Sequence, residues 1–176
     1  MEKYIEGNKA AWEEAFENRD PSWGADISER LTDEEYPFFN EETAAVLRTI
    51  ETEGKVIGQF CCNNVRELLS LVKSGRASRG VGFDIAENQV AFANKKAKDL
   101  QLPCEFVAVN IYDIDDRYKE TFDVVIIPAY SDSTVYKELF FFCFLRIRNT
   151  IHAPITTPIV FKIKSSTSVC LPSKKS

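Results

Sequence analysis

The chain's readable chemistry lies between Lys55 and Asp84, KVIGQFCCNNVRELLSLVKSGRASRGVGFD. An apolar run (Val56, Ile57, then Phe60) breaks at four small or polar residues, Cys61, Cys62, Asn63 and Asn64. It enters Arg66-Glu67-Leu68-Leu69-Ser70-Leu71-Val72, which has the pattern of an amphipathic helix and stops at Gly75. A second run, Val81-Gly82-Phe83, ends on an acid, Asp84. Strand, polar turn, helix, strand and acid make the first half of a nucleotide-binding βαβ unit. In that geometry the N–H groups of the turn and the positive end of the helix face an anionic or polar ligand. A carboxylate at the tip of the second strand can accept from both hydroxyls of a ribose.

Other reactive residues form no such pattern. The lone His152 has no partner for a triad or a metal site and reads as a core or surface histidine. Asp113, Asp115 and Asp116 lack the glycine and terminal Glu of a calcium loop and read as solvated loop acids, so no metal is expected. The five cysteines (Cys61, Cys62, Cys104, Cys143, Cys170) are odd in number and contain no C-x-x-C pair. They fit buried free thiols in a reducing cytoplasm better than a disulfide framework or a zinc site.

Composition bounds the architecture. The chain has 176 residues, 44% of them apolar, which suits one domain around one core. The charged start, MEKYIEGNKAAWEE, does not read as a signal peptide, and no apolar run approaches a membrane span. Residues 1–138 hold all 27 acids and 16 of the 22 Lys and Arg, a net −11, whereas the last 38 residues hold no acid and a net +6. The acidic body argues against nucleic acid as a partner.

The elements that must position the 55–84 stretch follow from periodicity. Residues 8–19 read as a helix capped by Asn8, with Ala11, Trp12, Ala15 and Phe16 on its apolar stripe. A long loop to Phe39 carries Trp23, Tyr36, Phe38 and Phe39, which either pack the helix onto the domain or form a flap over the ligand. Asn40 caps a helix with Val46, Leu47 and Ile50 inside, ended by Gly54. Beyond Asp84 comes a helix from about Ala86 to Leu100, with Val90, Ala93, Ala97 and Leu100 inward. A strand 105–109 ends at Asn110, and an apolar strand 122–127 follows. Strands alternating with helices give an α/β doubly wound, mainly parallel sheet. It has an N-terminal helical cap (1–53), a cofactor core (54–130) and an atypical tail (131–176), with the C-terminal strands incomplete or atypical. A sheet ending at 127 would leave a central strand with an open edge, so the tail is expected to cover it, or the chain to self-associate.

At these residues the chain resembles the class I S-adenosylmethionine-dependent methyltransferases, over about its first 130 residues. In particular it resembles a small bacterial-type group whose first loop reads C-C-N-N-G-R-E, against Cys61-Cys62-Asn63-Asn64-Val65-Arg66-Glu67 here. The resemblance implies S-adenosylmethionine as cofactor and a Rossmann-like sheet. It puts Cys61, Cys62, Asn63 and Asn64 around the methionine part, Asp84 on the ribose and Ile85 beside the adenine. It puts Asn110, Ile111 and Tyr112 at the adenine edge, with Asn where Asp is commoner. Phe122-Asp123 matches the strand-four motif, whose tip (Ile127, Pro128, Ala129) borders the methyl group and acceptor. The implied activity is methyl transfer to a small-molecule acceptor. No catalytic residue is assigned, and Tyr130 and Asp132 are the nearest candidates for a base.

Two departures qualify what the resemblance implies. Val65 stands where the group has Gly, so a left-handed backbone there would strain a β-branched residue. The residues after Ile127 show none of the group's closing pattern, and the composition break points to a shifted reading frame or a diverged, truncated end. Two other readings therefore stand: an impaired relic that only binds the cofactor, and a module for another nucleotide. Against a dinucleotide, positions 58–65 offer only Gly58, and Phe60 and Val65 obstruct a pyrophosphate. Ile127-Pro128-Ala129-Tyr130 is similar to the Asn-Pro-Pro-Tyr signature of amino-methylating DNA enzymes but lacks its polar first residue.

Overall fold

The computed structural model describes residues 2–63, 65–127 and 159–162. Three helices come first, α1 (Glu2–Glu17), α2 (Ile27–Asp33) and α3 (Glu41–Leu47). They are followed by β1 (Val56–Phe60), α4 (Arg66–Ser74), β2 (Arg79–Asp84), α5 (Glu87–Asp99), β3 (Cys104–Ala108), β4 (Val124–Ile127) and β5 (Ile159–Lys162). The sheet order is β3-β2-β1-β4-β5; the first four strands run parallel and β5 lies antiparallel to β4. This is the expected α/β, mainly parallel, Rossmann-like sheet.

Small residues let the layers close. Gly80 faces α4, and Gly82, two residues on, shares its side of the sheet. A Cβ on Gly80 would stand 2.7 Å from Val72 Cγ2 of α4, and one on Gly82 2.5 Å from the Phe106 ring. In register with them on β1 are Ile57 and Gln59, so these two share the α4 side of the sheet. The opposite side carries Phe60 stacked on Phe83 at 5.3 Å, with Tyr118 and Phe122 set edge-on to Phe83. Leu68, Leu69, Leu71 and Val72 of α4 are buried, which fixes that helix under the β1 end. At the free edge of β3, the Asn94 amide of α5 accepts from Phe106 N–H at 2.9 Å and donates to Phe106 C=O at 2.8 Å. That occupies an edge otherwise open to strand addition.

Several boundaries differ from expectation. The first helix begins at Glu2 and ends at Glu17, where 8–19 was expected. Within the supposed 20–39 loop a short helix, α2, buries Ile27 and Leu31, and its seven residues are too few for a periodic signal. Strand β3 starts at Cys104, and Phe122-Asp123 precede β4 because Asp123 turns back to clasp β1. Its Oδ2 accepts from Val56 N–H and its own N–H donates to Val56 C=O, both at 2.9 Å. The Asn40 cap is present, accepting from Thr43 N–H at 2.8 Å. Of the loop aromatics, Tyr36 is buried, Phe38 and Phe39 pack on the core, and Trp23 joins Phe16 and Phe92 in a trio with ring centroids 5.4–5.6 Å apart. These contacts are those of packing, the first of the two readings offered for that loop.

Candidate functional site

The turn after β1 adopts a backbone that L-residues avoid. Cys61 (φ 52°), Asn63 (φ 39°) and Val65 (φ 66°) are all left-handed. Alternate left-handed residues usually call for glycine at each. The turn therefore has the shape of a glycine-rich loop with a Cβ at every position, the strained condition anticipated for Val65. Val65 is 0% exposed, and its C=O accepts the first helical bond of α4, from Leu69 N–H at 3.1 Å. Asn63 tolerates αL better than Val65 does.

Asp84 holds this turn to the neighbouring strands. Its Oδ2 accepts from Asn63 N–H at 2.7 Å and its Oδ1 from Ala86 N–H at 3.1 Å. Its C=O accepts from Val109 N–H at 2.8 Å, while Cys62 N–H donates to Phe83 C=O at 3.0 Å. The carboxylate is buried, with 8% of the residue exposed. One residue thus brings together the C-terminal ends of β1, β2 and β3. The third segment is built by Asn110, whose side chain accepts from Tyr112 N–H at 3.2 Å and starts a 3-10 turn over Ile111–Asp113. Ile85, Asn110 and Ile111 are half-buried and Tyr112 is exposed.

Of the ten expected site residues, Cys61, Cys62, Asn63, Asp84, Ile85, Asn110, Ile111 and Tyr112 therefore lie on one rim. Asn64 lies outside the described residues. Ile127 ends β4, paired with Ile159, and only its backbone is described. Pro128, Ala129, Tyr130, Asp132 and His152 also lie outside the described residues. The rim sits where the strand order reverses, β1 having β2 on one side and β4 on the other, which is where open α/β sheets bind ligands.

Burial disfavours the thiolate form at two cysteines. Burial, then the nearby charges of Asp84 and Cys61, pushes the Cys62 thiol well above its ordinary range. Burial carries Cys104 up to about 12. No group of three or more His, Cys, Asp or Glu able to hold a metal occurs among the described residues. Asp113, Asp115 and Asp116 are exposed; Asp115 caps Arg117 N–H at 2.7 Å and Asp116 pairs with Lys119 at 2.6 Å.

Three features escaped the sequence reading. The Arg66 guanidinium lies 4.7 Å from the Trp23 ring centroid and 5.5 Å from that of Phe38, joining the N-terminal cap to the turn. Gln59 is buried in β1, and Glu67 is half-buried in the first turn of α4. A Gln inside the otherwise apolar run VIGQF was the available signal for the last two.

The donor set suits an adenosyl group. Two anchored carboxylate oxygens keep lone pairs for neighbouring hydroxyls, and the rim they share also carries half-buried Ile85 and Ile111 and the exposed Tyr112. No family model and no curated protein sequence matches the chain. Solved structures do. An RNA methyltransferase from Salinibacter ruber, in complex with S-adenosyl-L-homocysteine, superposes with a TM-score of 0.51 at 19% identity, covering 61% of this chain and 69% of that one. A tRNA methyltransferase from Aquifex aeolicus gives 0.45 at 14% identity, covering 65% of this chain and 57% of that one. YjhP from Escherichia coli gives 0.45 at 20% identity, covering 64% of this chain and 45% of that one. The chain thus shares the Rossmann-like α/β fold of the Salinibacter ruber enzyme.

Proposed function

We propose that the chain binds S-adenosylmethionine on the β1–β3 rim and directs its methyl group to a small-molecule acceptor. The observation that carries this reading is Asp84. Each of its oxygens is fixed by one backbone N–H and retains capacity for a ribose hydroxyl. In this reading Ile85 flanks the adenine, Asn110, Ile111 and Tyr112 line its edge, and Cys61, Cys62, Asn63 and Asn64 enclose the amino-acid end. Ile127 borders the methyl group. When bound, the cofactor supplies an activated methyl on a sulfonium, and the residues of this chain bind, orient and exclude water. The net −11 of residues 1–138 opposes a polyanionic acceptor, which favours a small molecule over RNA. Free thiols at Cys61, Cys62 and Cys104 fit the reducing cytoplasm, and no helix among the described residues is long and apolar enough to cross a membrane.

Calorimetric titration with S-adenosylmethionine and S-adenosylhomocysteine tests the reading, and failure of both to bind removes it. Asp84→Ala is expected to weaken binding by about 1.5–3 kcal/mol, the scale of hydrogen bonds to a charged group. Unchanged affinity would mean that the ribose lies elsewhere. A second reading, a chain that binds the cofactor without turnover, is favoured by the left-handed Val65. Binding with no methylation of any acceptor pool would select it.

A further inference from the structure

The N-terminal cap reaches the 61–65 turn through the first residue of α4. Arg66 directly follows Val65, and its guanidinium lies 4.7 Å from the Trp23 ring centroid and 5.5 Å from that of Phe38. Both rings are themselves held from other sides. Trp23 packs against Phe16 and Phe92, and Phe38 has the Arg30 guanidinium 4.7 Å from its centroid. Arg30 pairs in turn with Glu34 at 3.0 Å. Eight residues beyond Arg66 the same edge of α4 meets the cap again, where Tyr36 N–H donates to Ser74 Oγ at 2.9 Å. The cap thus fixes that edge of α4 at both ends.

The turn needs such a hold. Val65 is left-handed, β-branched and the N-cap of α4, where its side chain makes no capping bond. A strained backbone of this kind persists only where its surroundings over-determine it. On one side Asp84 Oδ2 holds Asn63 N–H at 2.7 Å. On the other the next residue is Arg66, whose planar guanidinium is of the kind that stacks on aromatic faces. The strained residue therefore lies between two anchors, one on β2 and one in the cap.

We infer that Arg66 is a positioning residue. Stacked by Trp23 and Phe38, it keeps Val65 left-handed and the turn in the shape the cofactor meets, so the N-terminal cap sets the affinity of the rim. This rests on the cofactor reading above and makes that binding depend on two rings of the 20–39 segment. A strain signature follows. Glycine takes the left-handed backbone about as readily as the right-handed one, so in Val65→Gly the stacked Arg66 has little left to hold. Losing it then costs less affinity than in the parent chain. An Arg66 that only packed the cap, or that met the ligand directly, would lose the same factor in either background.

The test titrates S-adenosylhomocysteine into the intact chain, Arg66→Met, Trp23→Leu and Phe92→Leu, with the first two substitutions repeated in Val65→Gly. The expected loss is about 5- to 30-fold for Arg66→Met and for Trp23→Leu, the factor equivalent to the left-handed cost. In Val65→Gly it should shrink to about 2-fold or less. Phe92→Leu breaks the aromatic trio, leaves the Trp23–Arg66 contact in place and should bind as the parent does. The same loss in both backgrounds, no loss in either, or an equal loss in Phe92→Leu overturns the inference while the cofactor reading stands. Hydrogen exchange supplies a readout without ligand. The Leu69 N–H, bonded to Val65 C=O, should exchange faster in Arg66→Met and Trp23→Leu than in the parent or Phe92→Leu. Unchanged exchange overturns the hold on Val65, whereas failure of the parent to bind S-adenosylhomocysteine removes the cofactor reading and the link to affinity with it. Should Arg66→Met not fold, Trp23→Leu carries both measurements.

Discussion

Val65 concentrates the strain of the site in one residue. It is β-branched, left-handed and fully buried, so two opposing terms act on it. The left-handed backbone costs an L-residue about 1–2 kcal/mol, while burying its side chain contributes about 1.5–3 kcal/mol. Val65→Gly removes both and is expected to lower stability only modestly. Val72 provides the control, because it is equally enclosed but sits inside α4. Val72→Gly loses the burial and adds about 1 kcal/mol of helix propensity. Denaturant unfolding should therefore show Val72→Gly costing about 2 kcal/mol more than Val65→Gly, and equal costs would mean that position 65 is unstrained. If that strain also opposes ligand entry, Val65→Gly will bind S-adenosylhomocysteine more tightly than the parent chain in the same titration.

The N-terminal helix is fastened to the start of α5, beside Asp84. Helix α5 begins right after Asp84–Ala86, and its N-cap, Ala86, offers no side-chain cap. Helix α1 supplies one in trans. Glu13 Oε1 accepts from Glu87 N–H at 3.0 Å, Asn88 Nδ2 donates to Glu13 C=O at 2.9 Å, and Lys9 bonds the Glu87 carboxylate. Loss of a cap costs about 1 kcal/mol, so Glu13→Ala should raise the amide exchange rate at Glu87 and its neighbours while leaving β1 and β4 protected. The Lys9–Glu87 contact also has a defined pH window. The Lys9 hydrogen bond holds Glu87 below the usual carboxylate range, so its contribution is present above about pH 4 and is lost as pH falls through the depressed value. The Glu87 hydrogen bond raises Lys9, so from that side the contribution is complete below about pH 10 and is lost as pH rises through the raised value. Tryptophan fluorescence of Trp12 and Trp23 should report loosening of α1 on acidification, reached at higher pH in Lys9→Met.

For the molecule as a whole, the edge of β4 matters most. Strand β5 pairs along it through Val124–Lys162, Val125–Phe161, Ile126–Val160 and Ile127–Ile159. Val125 and Ile126 are buried and apolar, so an uncovered β4 would invite another strand. Replacing Val160 and Phe161 together by proline removes ladder donors from β5. The expected outcome is a rise in apparent mass by light scattering at fixed concentration; an unchanged mass would mean that the β4 edge is protected without β5.

Much of this was legible along the chain because it is local. The Asn40 cap, the Gly75 stop and the apolar periods of α4 and α5 depend on neighbours within a turn. The acid after Val81-Gly82-Phe83 marks a strand end by position alone. Spacing likewise placed Cys61–Asn63, Asp84 and Asn110–Tyr112 at consecutive strand ends. Tertiary contacts decided the rest. Asp84 fastens the turn through an N–H 21 residues away, α2 exists because Ile27 and Leu31 find the core, and β5 pairs with a strand more than thirty residues earlier. The left-handed turn without glycine belongs to the same group. Local preference opposes that backbone at Cys61 and Val65, and only the packing of α4 under β1, with the Asp84 clasp, outweighs it.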